Sequence, residues 1–170
     1  GDAELTDLAH AARPSGGVID PDHPDFVRPD DMPAAIRANC RATGQPAPDD
    51  VGQLVRMALE GLALRYRWTL DGLERVTGRQ VRVVHVVGGG ARNGLLCQMT
   101  ADATGRPVLA GPVEATAVGN VLVQAIAAGR LGSIDEGRAL VARSFPIETY
   151  EPGLRASWDA AYERFLGLIA

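Results

Sequence analysis

Apolar residues recur along this chain mainly at helical spacing, and one short run departs from that rule. The longest periodic segment, about 51–77, carries Val51, Leu54, Val55, Ala58, Leu59, Leu62, Tyr66, Leu70, Leu73 and Val76. Steps of mostly three and four predict a long helix that lays one stripe on a core. Asp49 or Asp50 stands where its N-cap is wanted. Gly61 and Gly72 each weaken such a helix by roughly 1 kcal/mol relative to Ala, so close backbone approaches are expected there. Arg56, Arg65, Arg67 and Arg75 fall mostly off the stripe and predict a charged, solvated face. Upstream, Asp31 and Pro33 open a helix Met32–Thr43 with Ile36 and Cys40 on one face, and Gly44 ends it. Residues 1–31 read as mostly loop. Leu5 and Leu8 allow one short helical turn before Pro14, Ser15, Gly16 and Gly17 break it. The run Asp20-Pro21-Asp22-His23-Pro24-Asp25 lacks the glycine and terminal Glu of a calcium loop, so a solvated acidic loop is expected, anchored by Phe26 and Val27.

The exception is Val81–Val87, apolar except at Arg82 and His85. A run apolar on both faces predicts a central parallel strand covered by helices on each side, with His85 hydrogen-bonded in the core. Three glycines follow, then a helix Asn93–Thr104 that buries Leu95, Leu96, Met99 and Ala103 and stops at Gly105. Arg106–Ala110 reads as a short strand and Gly111-Pro112 as a turn. The helix Ala115–Ala128 is small and apolar, which predicts tight packing on a neighbour. Ser133 and Glu136 form a capping box for a helix to about Arg143. Phe145–Glu151 is extended, and a last helix carries Leu154, Trp158, Ala161, Tyr162, Phe165 and Leu166. The fold expected is α/β, helix-rich, with a short parallel-type sheet. Two confident strands are few for such a domain. With Gly1 in place of an initiator Met, this suggests further strands upstream in a longer chain.

Composition narrows the function classes. At 170 residues the chain suits one domain, 1–170. A net charge of −4 leaves no basic footprint, so nucleic acid is not an expected partner. No stretch approaches the ~18 apolar residues of a membrane span, and no signal peptide is visible, so a cytoplasmic protein is expected. Cys40 and Cys97 lack zinc or redox spacing and read as reduced, partly buried thiols.

The chemistry concentrates at Gly88-Gly89-Gly90. Glycines after a strand admit positive φ and remove side chains that would hold a ligand away. The following helix start favours an anion or nucleotide. Asn93 is placed either to cap that helix or to bond a base or ribose. A turn used only for tight strand–helix packing is the alternative. A dinucleotide fingerprint fails, because Asn93 stands where its last glycine belongs and no acidic residue ends the next strand. A P-loop fails because no lysine lies near the turn.

Val86-Val87-Gly88-Gly89-Gly90-Ala91-Arg92-Asn93, with Leu95-Leu96 and Ala101-Asp102, resembles the nucleotide-binding segment of the FGGY carbohydrate kinases. Gly111-Pro112-Val113-Glu114-Ala115-Thr116-Ala117-Val118-Gly119-Asn120 is more similar to the branch acting on L-rhamnulose than to those acting on xylulose or glycerol. Ile19-Asp20-Pro21, Phe26, Pro29, Cys40–Pro46 and Glu60–Tyr66 agree, although Gly61 stands where that branch usually has Ser. The resemblance implies the C-terminal portion of an actin-like (ribonuclease H-like) ATPase domain. It implies that Gly88, Gly89 and Gly90 meet ATP by backbone, that Asn93 touches the base, and that Glu114 shapes the pocket floor. It also implies Mg²⁺, ATP and ADP as ligands, and L-rhamnulose as a substrate bound by a preceding part of the protein. The family's catalytic Asp precedes this segment, and none of the Asp residues here sits in its motif. No catalytic or metal-binding residue is therefore assigned, and the segment alone is expected to be inactive. A stand-alone, non-catalytic actin-like module and a small Rossmann-like enzyme remain the competing expectations.

Overall fold

The computed structural model describes residues 1–153 and 155–169, so Leu154 of the expected last stripe lies outside them. The helices are α1 (Asp2–Ala11), α2 (Met32–Ala42), α3 (Val51–Thr77), α4 (Gly94–Thr104), α5 (Ala115–Ala127), α6 (Ile134–Ser144) and α7 (Ala156–Leu168). The strands are β1 (Val84–Val86), β2 (Val108–Ala110) and β3 (Glu148–Tyr150). Side-chain caps fix several helix starts. Asp31 accepts from the Ala34 N–H, Asp50 from Gln53 and Ser133 from Glu136.

The sheet runs in the order β1-β2-β3. β1 and β2 are parallel, with Val84 opposite Val108, and α4 is the crossover between them. β3 is antiparallel to β2, with Tyr150 opposite Val108, so the sheet is mixed rather than purely parallel. Its central strand is β2, because β3 takes the far side; β1, expected at the centre, is an edge among the described residues. α4 covers one face, where Val84, Val86, Val108, Ala110 and Tyr150 pack with Cys97 and Ala101. Strand alternation turns His85 to the other face, where it is exposed rather than held in a core.

α3 is the hub of the molecule. Met57 packs with Ile19, Phe26, Ile36 and Cys40; Leu59 and Ala63 pack with Ala9, Met99 and Ala103; Leu64 packs with Val18, Tyr162 and Phe165. A single stripe misses Met57, Ala63 and Leu64, because the middle of this helix is surrounded on three sides. Its C-terminal third emerges from the core, with Leu73 51% and Val76 87% exposed. At Gly61 a Cβ would stand 2.8 Å from the Ile19 carbonyl oxygen, the close approach expected there; at Gly72 it would meet nothing within 4 Å.

The arginines of α3 correct the picture of a solvated face. Arg56 donates to Glu60 and to the carbonyls of Ala9 and Ala12. Arg65 pairs with Asp20 and Asp22 and stacks on Trp68, so the acidic loop is tied down rather than merely solvated. Arg67 bonds Asp159 at 2.7 Å and lies over the Tyr162 ring. Only Arg75 of the four is exposed. Phe26 anchors its loop as expected, whereas Val27 is 73% exposed.

Two further expectations change. α1 is a ten-residue helix rather than one turn. Ala9 is buried against α3, and a Cβ on Gly52 would stand 2.7 Å from the Leu8 carbonyl oxygen, so the two helices meet closely. α5 has no buried residue, and Gly119 faces nothing within 4 Å, so the tight packing expected of its small side chains is absent. Cys40 and Cys97 are free and fully buried. Among the described residues, no helix is long and apolar enough to cross a membrane.

Candidate functional site

The site is built where the two parallel strands end. After β1, residues Gly88–Arg92 form a single 3₁₀ turn before α4 begins at Gly94. The turn thus fills the gap that the sequence leaves between strand and helix, with Asn93 as the N-cap. Gly88 has φ +74°, a left-handed conformation that favours glycine. Its N–H donates to the Pro112 carbonyl at 3.1 Å, and the Gly111 N–H donates to the Val86 carbonyl at 2.8 Å. The exits of β1 and β2 therefore lie side by side, the usual place for a ligand in an open α/β sheet.

Gly89 and Gly90 are exposed. A Cβ on Gly90 would meet Val86 at an ordinary 3.5 Å, and one on Gly89 would meet nothing within 4 Å. The fold itself therefore does not require glycine at 89. Asn93 caps α4: its Oδ1 accepts from the Leu96 N–H at 3.0 Å. That settles one of the two roles open to it and leaves the amide NH₂ as the group that can donate to a ligand.

Gly89, Gly90, Arg92 and Asn93 form one side of an open cavity of about 810 Å³. Across from them stand Ala3, Thr6 and Asp7 of α1, and Leu59 and Leu62 of α3. The α1 wall is what sequence reasoning missed. Its signal was the pair of small residues Ala12 and Gly52, whose close approach brings α1 onto α3. A second recess of about 400 Å³, lined by Tyr66, Leu70, Val84, His85 and Val86, lies on the β1 side of Gly90.

The charges around the large cavity are sparse. Arg92 is the one cation among its described lining residues, Asp7 is an anion, and three leucines supply apolar wall. At the rim Arg92 pairs with Glu114 at 3.6 Å, both well exposed, an ion pair of little energetic weight. A polyphosphate wants several cations or a converging set of donors; this surface suits an uncharged, partly aromatic group better. Cys97 lies beneath the turn with Sγ 3.8 Å from the Gly90 carbonyl oxygen. Burial pushes its thiol above the usual range, and the charge of Glu148 pushes the same way, so it is a packed thiol rather than a nucleophile.

Comparison with known proteins follows the same residues. The family described as "FGGY family of carbohydrate kinases, C-terminal domain" matches residues 1–128. A rhamnulokinase of Bacteroides thetaiotaomicron is 49% identical over 166 residues, which cover 98% of this chain and 34% of that protein. A rhamnulokinase of Bacillus subtilis is 39% identical over 149 residues, 88% of this chain and 31% of that protein. The chain thus spans about a third of the length of the curated relatives it matches. Among solved structures, xylulose kinase from Rhodospirillum rubrum superposes with a TM-score of 0.68 at 26% identity, covering 98% of this chain and 33% of that one. Plasmodium falciparum glycerol kinase with ADP gives a TM-score of 0.68 at 16% identity, covering 99% of this chain and 34% of that one, a likeness of fold alone. The helix-rich α/β architecture is that of the actin-like sugar kinases.

Proposed function

Because the chain belongs to the FGGY family of carbohydrate kinases, as its C-terminal domain, we propose that it forms the adenosine side of an ATP site. The observation that carries this reading is Gly89: its backbone is bare of side chain for no reason of packing, and it borders a large cavity with few charges. In this reading Gly88, Gly89 and Gly90 meet the nucleotide by backbone, and Asn93 donates from its amide NH₂ to base or ribose. Leu59, Leu62 and Leu96 give the base an apolar wall. Glu114 shapes the rim with Arg92.

The activity proposed for the whole protein is transfer of the ATP γ-phosphoryl to O1 of L-rhamnulose, in the cytoplasm, by analogy with the rhamnulokinase relatives. Such a transfer depends on placing both substrates and on stabilising charge at the moving phosphoryl. Mg²⁺ would supply part of that charge when bound. Among the described residues no group of three or more His, Cys, Asp or Glu side chains is disposed to hold a metal ion. In this reading the ion is held by the phosphates and by other parts of the kinase. The proton acceptor for the sugar hydroxyl is likewise assigned elsewhere, so this chain alone holds nucleotide without turning it over.

Calorimetry with ADP tests the site. Gly89→Val introduces branches into space that the protein leaves open, so it should unfold nothing while weakening ADP binding at least ~10-fold. Unchanged affinity, with unchanged circular dichroism, would remove the turn from the nucleotide site. Phosphorylation of L-rhamnulose in preference to xylulose or glycerol by the full-length kinase tests the substrate.

A further inference from the structure

We propose that Tyr150 is a positioning residue of the nucleotide turn, bracing the first residue of α4 and so the placement of Asn93 and the glycines. The proposal rests on the nucleotide reading given above. It concerns β3, which lies beyond the residues 1–128 that the family comparison reaches.

The segment leaving β3 runs along α4 as a strap. Tyr150 meets Gly94, Gln98 Nε2 donates to the Glu151 carbonyl at 2.9 Å, and the Gly153 N–H donates to Asp102 at 2.7 Å. Positions 94, 98 and 102 are spaced by four and share one face of the helix. The two later contacts hold the body of α4. The first lies at the end that carries Asn93, on the sheet side of the helix.

At that end the fit is close. A Cβ on Gly94 would stand 3.0 Å from the Tyr150 hydroxyl oxygen and 3.7 Å from the ring carbon that bears it. Gly94 has no left-handed φ, so the backbone does not require glycine there; a side chain at 94 would instead crowd the tyrosine hydroxyl, which would have to give way by a few tenths of an ångström. The ring is held from its tip, where the hydroxyl donates to Glu148 Oε2 at 2.6 Å. That bond, with burial and the Glu148 charge behind it, pushes the phenol up to about 12, so it stays a donor across the physiological range. The ring also packs with the cluster of Cys97, Ala101, Val108 and Ala110, in which Ala91 of the glycine turn takes part. Tyr150 therefore stands against the residue that follows Asn93, and it packs on the same cluster as Ala91 of the glycine turn. A displacement of about 1 Å in a positioning element is enough to change ligand affinity measurably.

The test is a double-mutant cycle in the 170-residue chain, read by ADP calorimetry and by ¹⁵N amide shifts of Gly89, Gly90 and Asn93 without ligand. Gly94→Ala pushes against the hydroxyl and should weaken ADP binding about 5-fold. In a Tyr150→Phe background, where the ring stays and the clash goes, the same change should cost less than ~2-fold. Tyr150→Ala should weaken binding about 10-fold. Gln98→Ala, which cuts the strap one turn further along, should lower the melting temperature and leave ADP affinity unchanged. Equal effects of Gly94→Ala in both backgrounds, or a Gln98→Ala loss as large as that of Tyr150→Ala, would overturn the proposal. If the unmutated chain binds no ADP, the nucleotide reading falls first. The amide shifts then decide alone: movement in Gly94→Ala that is reversed by adding Tyr150→Phe supports the brace, and unmoved shifts refute it.

Discussion

α4 and α5 begin alike and end differently. Each follows one of the two parallel strands through a turn containing glycine, and the pair are 11 and 13 residues long. α5 is the more uniformly apolar of the two, yet none of its residues is buried, whereas α4 buries Cys97, Met99, Thr100, Ala101, Ala103 and Thr104. What separates them is what each is given to pack on. α4 lies between the sheet and α3, so both of its flanks are filled. α5 has α6 for a neighbour, with Leu122 against Gly137, and the two enclose a groove of about 400 Å³ lined by Val118, Val121, Leu140 and Phe145. Val121 and Val123 are 64% and 63% exposed. Apolar content thus states what a helix can bury, and the surrounding elements decide what it does bury.

The contrast breaks most visibly by truncation. Met99→Ala removes a side chain 3% exposed between α3 and α4, and should destabilise the chain by about 2–5 kcal/mol in a urea melt. A loss below ~1 kcal/mol would show α4 to be as loosely held as α5. The next effect is a dependence on pH. Glu74 accepts from the Val81 N–H and from Arg106, fastening the end of α3 to the approaches of both parallel strands. The Val81 hydrogen bond, with Arg106 adding to it, holds its carboxyl below the ordinary range. A depressed folded value means stability that is present above the unfolded carboxylate value and is lost as pH falls through the folded one. Glu74→Gln should therefore flatten the acid limb of a stability–pH curve. Glu60 has the opposite sign. Burial raises it, with Arg56 opposing, so its charged form is disfavoured by folding and its contribution weakens as pH rises from the unfolded to the folded value. Glu60→Gln should remove that decline; identical pH profiles for the two variants would contradict both assignments. The smallest effect belongs to α5: Val121→Ser should shift stability by less than ~0.5 kcal/mol, and a larger loss would mean that α5 is covered in solution.

The local grammar of the chain was readable before the structure. Asp31, Asp50, Asn93 and Ser133 cap the helices they precede, and α3 spans Val51–Thr77 as its periodicity requires. Gly88–Gly90 and Asn93 were legible for the same reason, since a strand, a turn and a helix start are neighbours in sequence. What failed depended on partners distant in the chain. Val81–Val87 looks central because both faces are apolar, but centrality is set by which strand pairs on each side, and β3 chose β2. The arginines of α3 look solvated on a helical wheel, yet Arg65 and Arg67 are met by Asp20 and Asp159 from segments far along the chain. The α1 wall of the cavity and the contact of Tyr150 with Gly94 are likewise products of packing and register, the first foreshadowed only by small residues such as Gly52.

The crossed pair of hydrogen bonds between Gly88 and Pro112, and between Gly111 and Val86, has a mechanical consequence. Two fastenings across one gap resist rotation as well as separation. The backbone that leads from the sheet into α5 passes through Gly111–Glu114 and is riveted there to the glycine turn. The α5–α6 hairpin is therefore rooted at the same corner from which the glycine turn starts, and the two segments share one anchorage at the end of the sheet.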